Sequence, residues 1–242
     1  VKHIKSTYQH IHLESVNSTN RYLLDYVQRN DLPQPIVCTT NNQTKGYGQQ
    51  GKSWLSNQHS AVFSIALPVT KKIAISGIIS LKISAIIHQY LSQITNTNLK
   101  LKWPNDLYNQ HGKVAGILIE IASLAEKNTM IIGVGINRLS HPDINNAAHL
   151  AFFELTPFIN QILNALTAED FFSASHKSLI NYWQQHDWFQ PNETVELLNN
   201  QTQFTEQATY LGINSQGQAE LKINNNIRKL SSGSLSIRKI SL

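Results

Sequence analysis

The 242 residues carry a formal charge of +5, with 41% hydrophobic and 14% charged side chains, enough chain to bury a core without disulfides or metal. No apolar run approaches the roughly 20 residues of a membrane span, no secretory leader is legible at Val1–Lys5, and the single cysteine, Cys38, excludes an internal disulfide. The cations are scattered rather than gathered in a block, so specific DNA binding is not expected, and neither is a membrane; the expected compartment is the cytoplasm.

In chain order, Leu13–Val16 reads as the end of a strand, and Asn17-Ser18-Thr19-Asn20 offers N-caps for a helix with Tyr22, Leu23, Tyr26 and Val27 on one face. Ile36–Thr40 is a short strand in which Cys38 is a buried thiol. Residues 41–57 form a polar, glycine-punctuated loop, and Ala61–Leu67 is a strand closed by Pro68. Ile75, Ile78, Ile79, Ile83, Ile86, Ile87, Tyr90 and Ile94 recur at helical spacing. Leu99–Trp103, Val114–Ile121 and Thr129–Ile136 are strands, the last two joined by a turn near Ala125–Asn128. The chain turns helical again from Pro157 to His186. After Gln190-Pro191-Asn192, five short strands (Thr194–Leu198, Ala208–Ile213, Gln218–Ile223, Ile227–Leu230 and Ser234–Ile240) suggest a small all-β barrel. The expected fold class is α+β, a mixed sheet with packed helices over residues 1–189 followed by the barrel over 190–242.

Three segments carry chemistry. Gly46-Tyr47-Gly48-Gln49-Gln50-Gly51 matches a dinucleotide fingerprint literally, but it leads into a strand rather than opening a helix, and no acidic residue follows about 20 positions on. Such a loop can still turn backbone N–H groups onto an anion; Lys45 and Lys52 flank it and Trp54 offers a flat surface, although a surface loop and a core tryptophan are equally open readings. In Lys102-Trp103-Pro104-Asn105-Asp106, proline ends a strand and Asn105-Asp106 turns two oxygen-bearing side chains toward the surface. Lys113 opens the next strand, as an exposed strand end or as a cation aimed into a cleft. Gly133 and Gly135 interrupt a buried strand, which a bulge, or the close approach of a ligand or another backbone, would explain.

In this order the segments resemble the bacterial biotin–protein ligase family, whose pattern is Ser-Thr-Asn, Gln-Thr-x-Gly-Arg-Gly-Arg, Lys-Trp-Pro-Asn-Asp, Lys-x-Ala-Gly-Ile and Gly-x-Gly-x-Asn. This chain supplies Ser18-Thr19-Asn20, Gln43 through Gln49, Lys102 through Asp106, Lys113 through Ile117, and Gly133 through Asn137. Gly212–Gly217 and Ser232–Arg238 look like the family's C-terminal module. The resemblance implies a catalytic domain like that of class II aminoacyl-tRNA synthetases followed by an SH3-like barrel. It also implies formation of biotinyl-5′-AMP from biotin and ATP with Mg²⁺, and transfer of biotin to a lysine of a biotin carboxyl carrier domain, of the acetyl-CoA carboxylase type. A homodimer stays open.

On the same grounds, biotin would meet Ser18, Thr19, Asn20, Gln43, Gly46, Tyr47, Gly48, Gln49, Lys113 and Gly116. ATP would meet Gly48, Lys52, Trp54, Lys102, Asn105, Gly135 and Asn137, with Asp106 on the metal and Lys113 touching both reacting groups. The chain reaches Ser18 so early that the DNA-binding domain of some relatives is not expected. Two positions depart from the pattern, since Tyr47 and Gln49 stand where the family has arginine. Ser232-Gly233-Ser234 likewise replaces Ser-Gly-Glu. A weakly catalytic biotin-binding or regulatory homologue is the second reading, and a lipoate ligase a third that Lys-Trp-Pro-Asn-Asp disfavours.

Overall fold

The computed structural model describes residues 7–56, 60–69, 77–124, 127–138, 148–172, 176–231 and 235–240. Two sheets organise it. The larger has seven strands in the order β1-β2-β3-β7-β6-β5-β4: β1 (Gln9–Val16), β2 (Ile36–Gln43), β3 (Ser60–Val69), β4 (Lys100–Lys102), β5 (Asp106–Asn109), β6 (Gly112–Leu124) and β7 (Lys127–Asn137). Among the described residues β1 and β2 pair in parallel, and the other strand pairs of this sheet are antiparallel.

Side chains alternate along a strand, so one sheet feeds two layers. Ile36 and Cys38 of β2, Ala66 of β3 and Ile131 of β7 face Leu23 and Val27 of helix α1 (Thr19–Val27). Val37, Phe63, Ile65 and Ile132 face the other way, into the main core with helices α2 (Gly77–Thr95), α3 (Leu155–Leu166) and α4 (His176–His186). Phe63 meets Phe158 edge-on at 6.2 Å. The isoleucine stripe of α2 is core as expected, with Leu81 and Leu91 added and Ile94 left 39% exposed; Ile75 lies outside the described residues. The helical stretch expected from Pro157 to His186 comprises α3 and α4; Thr167 ends α3 and turn residues follow it.

The second sheet is antiparallel, in the order β11-β10-β9-β8-β12, from β8 (Thr194–Asn199), β9 (Thr205–Ile213), β10 (Ala219–Ile223), β11 (Asn226–Leu230) and β12 (Leu235–Lys239). Among the described residues its pairings leave β11 and β12 at the two edges. It docks on the larger sheet through polar anchors. The Trp103 indole donates to the Gly217 carbonyl at 3.0 Å, and the buried Tyr210 hydroxyl donates to Asp187 at 2.6 Å. Gly217 has φ +78 and abuts the backbone of Gly77 and Ile78, so no side chain fits there.

Candidate active site

The register of the seven-stranded sheet builds the floor of a cavity of about 160 Å³ on the α1 face. Lys102 pairs with Asp106, Asp106 with Gly116, Gly116 with Gly135 and Gly135 with Val62, which sets one row of residues on one face. The next row on that face is Leu118, Gly133 and Ser64, and beyond it stand Glu120, Ile131 and Ala66. Lys113, three residues before Gly116, would point to the opposite face of a regular strand. A register shift prevents this: Leu107 pairs with Ala115 but Tyr108 with Lys113, so the extra residue Val114 turns Lys113 onto the face of Asp106 and Tyr108.

The glycines in the floor admit side chains, not a backbone. A Cβ on Gly133 would lie 2.3 Å from the Asn20 amide, and one on Gly135 would lie 2.4 Å from the Trp54 indole, which also covers Gly116 at 3.1 Å. Trp54 is therefore seated by the two glycine positions at the expected nucleotide end. Its Nε1 is buried with no hydrogen-bond partner among the described residues, a donor left for a bound group.

One end of the cavity is lined by neutral side chains. Ser18 caps α1 in an extended conformation, and the next residue, Thr19, donates its backbone N–H to Gln43 Oε1 at 2.9 Å. Ser64 on β3, fully buried, lies 2.7 Å from the Thr19 hydroxyl and 2.5 Å from Asn20 Oδ1. Asn20 donates to Glu120 at 2.8 Å, and Tyr47 from the glycine loop donates to the same oxygen at 2.7 Å, with Arg21 stacked 5.5 Å from the Tyr47 ring. Burial, then the Glu120 contact, pushes the Tyr47 phenol well above its ordinary range, which keeps it a donor.

The glycine loop is an ordered hairpin. Gly48 donates to the Lys52 carbonyl at 2.7 Å and Trp54 to the Gly46 carbonyl at 3.0 Å. The tip, Gln49–Gly51, needs positive φ at Gln50 (59) and Gly51 (70). Tyr47, Gly48, Gln49 and Lys52 line the cavity; Gly46 does not, and instead packs its Cα against Trp54 and Gln43.

The other end is charged. Lys113 Nζ lies 2.7 Å from Asp106 and 5.4 Å from the Trp54 ring. Lys102 donates to the Tyr108 hydroxyl at 3.1 Å, and burial, only partly offset by Asp106, lowers its ammonium to about 8. Lys113, Arg238 and Lys52 push it the same way. Asn105 departs from expectation: it is buried rather than near the surface, because its amide donates to the Ile117 carbonyl while its own carbonyl accepts from Ile117 N–H at 3.0 Å. It clamps the turn to β6 while still lining the cavity. Asn137 is not a wall of the cavity; its amide holds the Lys113 and Ala148 carbonyls at 3.3 and 3.2 Å, behind Lys113.

Of the residues that the resemblance assigns to biotin, ATP or metal, all but Gly46 and Asn137 line this cavity. Ser64 and Glu120 were not singled out, although each is the one polar side chain in the stretches Ala61–Leu67 and Val114–Ile121. The small sheet also contributes: Leu235, Ser236 and Ile237 of β12 line the cavity, and Lys52 donates to Asn200, which holds Ser236 at 2.9 Å. Ser232-Gly233-Ser234 lie outside the described residues. Cys38 is buried, and desolvation raises its thiol to about 12, which suits a packing role.

A family profile described as "Biotin/lipoate A/B protein ligase family" matches residues 12–137. The bifunctional ligase/repressor BirA of Escherichia coli is 32% identical over 127 residues, which are 52% of this chain and 39% of that protein. The biotin–[acetyl-CoA-carboxylase] ligase of Mycobacterium tuberculosis is 28% identical over 131 residues, 52% of this chain and 48% of that protein. The matched stretch thus spans less than half the length of either relative. The fold is like that of the biotin protein ligase from Aquifex aeolicus in complex with biotin and ATP, with TM-score 0.77, 24% identity, and 96% and 99% of the two chains covered. The matched profile contains the α1 N-terminus, the glycine loop, Lys102–Asp106, Lys113 and both floor glycines, and the chain belongs to the biotin/lipoate A/B protein ligase family.

Proposed function

We propose that this protein condenses biotin with ATP to biotinyl-5′-AMP and passes the biotinyl group to a lysine of a biotin carboxyl carrier domain, of the acetyl-CoA carboxylase type. The observation that carries the proposal is that a neutral hydrogen-bonding end and a cationic end, with Lys113 held between Asp106 and the Trp54 ring, open into one cavity. A ureido ring, with two N–H donors and a carbonyl, matches the neutral end. The dithiolane of lipoate would leave Thr19 and Gln43 facing groups that make no hydrogen bonds, at a cost of about 1–3 kcal/mol per unsatisfied group.

In the first step the biotin carboxylate attacks the α-phosphorus of ATP and pyrophosphate leaves. Two anions must approach, so Lys113, Lys102, Lys52 and the loop N–H groups would neutralise the charge that develops there. Among the described residues no cluster of three acidic, histidine or cysteine side chains could cage a metal. One carboxylate beside phosphate oxygens is a common Mg²⁺ setting, and Asp106 would supply it, Mg²⁺ drawing electron density from the phosphate. In the second step the carrier lysine's amine attacks the acyl carbon of the mixed anhydride and AMP departs. The glycine loop, braced by Asn200, would shield that anhydride from water. Residues 190–242 form the smaller unit in this reading.

Incubation with biotin, ATP, Mg²⁺ and a purified carrier domain should raise the acceptor mass by one biotinyl group. Biotin binding without any mass increase would favour the weakly catalytic homologue; labelling with lipoate but not biotin would overturn the proposal.

A further inference from the structure

We propose that Glu120 is a positioning residue that fixes the direction of a hydrogen-bond relay and thereby makes the Thr19 hydroxyl an acceptor toward the ligand. The inference rests on the biotin reading above for the ligand, but not for the relay itself. Glu120 Oε2 receives both Asn20 Nδ2 and the Tyr47 hydroxyl, at 2.8 and 2.7 Å. An ionised carboxylate only accepts, so the Asn20 amide must turn its nitrogen to Glu120 and its oxygen to Ser64. Ser64 has one proton, and Asn20 Oδ1 at 2.5 Å claims it. The 2.7 Å contact between Ser64 and Thr19 then requires the Thr19 proton to point at Ser64.

Every hydroxyl proton in the chain is therefore committed in the direction of Glu120. Thr19 Oγ1 lies 3.2 Å from Gln43 Oε1, close enough to donate to it; with its one proton drawn instead to Ser64 at the shorter 2.7 Å, the two oxygens are left as neighbouring acceptors. Such a pair suits ligand N–H groups and repels a ligand carbonyl. Thr19, Asn20 and Ser64 are all at most 4% exposed, so solvent does not reset the order. The same carboxylate ties down the glycine loop through Tyr47, at the position where the family pattern has arginine. A phenol replaces the guanidinium there, and the cation is supplied beside it by Arg21 of α1.

The test compares Glu120→Leu, which removes the acceptor, with Glu120→Gln, which keeps one acceptor oxygen, and with Tyr47→Phe, which releases only the loop. Glu120→Leu should raise KM for biotin roughly 10- to 100-fold, the range for one charge-assisted hydrogen bond. Glu120→Gln should restore most of the loss, while KM for ATP and kcat stay within about twofold. Unchanged KM for biotin in folded Glu120→Leu, or KM for biotin and ATP rising together, would overturn the inference. A second measurement needs no ligand: tryptic cleavage at Lys45 and Lys52 should accelerate in Glu120→Leu and in Tyr47→Phe relative to wild type. Should wild type fail to bind biotin, the functional reading falls; faster cleavage in both variants would still uphold the clasp, and unchanged cleavage would overturn it as well.

Discussion

At the end of the cavity formed by α1 and the glycine loop, neutral polar side chains are joined in one chain from Gln43 to Tyr47, anchored on Glu120 with Arg21 beside it. At the end formed by β4, β5 and β6, the groups are ionic and satisfy one another, Lys113 with Asp106 and Lys102 with the Tyr108 hydroxyl. The first end is preorganised, and a ligand there adds to bonds already in place. The second carries crowded cations, of which Lys102 is lowered first by burial and then by its cationic neighbours, and a bound anion offsets both. Binding energy at the neutral end should thus be insensitive to pH and salt, whereas at the charged end it should depend on both.

The largest expected effect is at the junction. Lys113→Ala should cut biotinyl-AMP formation by about 10²- to 10³-fold, the usual cost of losing a preorganised charge at a transferring group, with the melting temperature nearly unchanged because Lys113 is 37% exposed. Pyrophosphate release measures the first and thermal denaturation the second; undiminished release would remove Lys113 from the chemistry.

Two alanine substitutions in adjacent rows of the same floor should separate the ends; overpacking costs about 1–3 kcal/mol, roughly tenfold or more in affinity. Gly133→Ala should displace Asn20 and weaken biotin, and Gly135→Ala should displace Trp54 and weaken ATP. Titration calorimetry with each ligand checks the split, and equal losses of both ligands in both variants would mean that the ends are not independent.

The smallest effect concerns pH. Lys102 is held near 8, below its ordinary value, so it is charged below that pH and loses its proton as pH rises through it. ATP affinity should fall by severalfold between pH 7 and 9.5, with the midpoint shifted upward by the bound phosphates, while biotin affinity stays level. Lys102→Met should flatten the ATP profile; a persisting slope would assign it elsewhere.

The residues that carry chemistry were legible in the sequence wherever turn chemistry or a glycine exposed them: Ser18 before α1, the Gly46–Gly51 hairpin, and Gly133 and Gly135 in an apolar strand. What escaped depends on pairing. Lys113 reaches the α1 face only through the bulge at Val114, which no local pattern announces. Ser64 and Glu120 become neighbours of Asn20 only once β3, β7 and β6 align. Asn105 looked like a surface turn residue, but pairing with Ile117 buries it. The approach of β12 to the cavity was equally hidden, because it follows from the docking of Gly217 on Gly77 and Ile78.

The central claim is that one cavity joins the two halves of a biotinyl nucleotide. The most direct test mixes the protein with biotin and ATP labelled at the α-phosphate, without any carrier, and separates the quenched products. A labelled species that requires biotin, reaches about one equivalent per protein and vanishes when a carrier domain is added is the predicted result. Labelled AMP released at the same rate with and without biotin, and no biotin-dependent species, would contradict it.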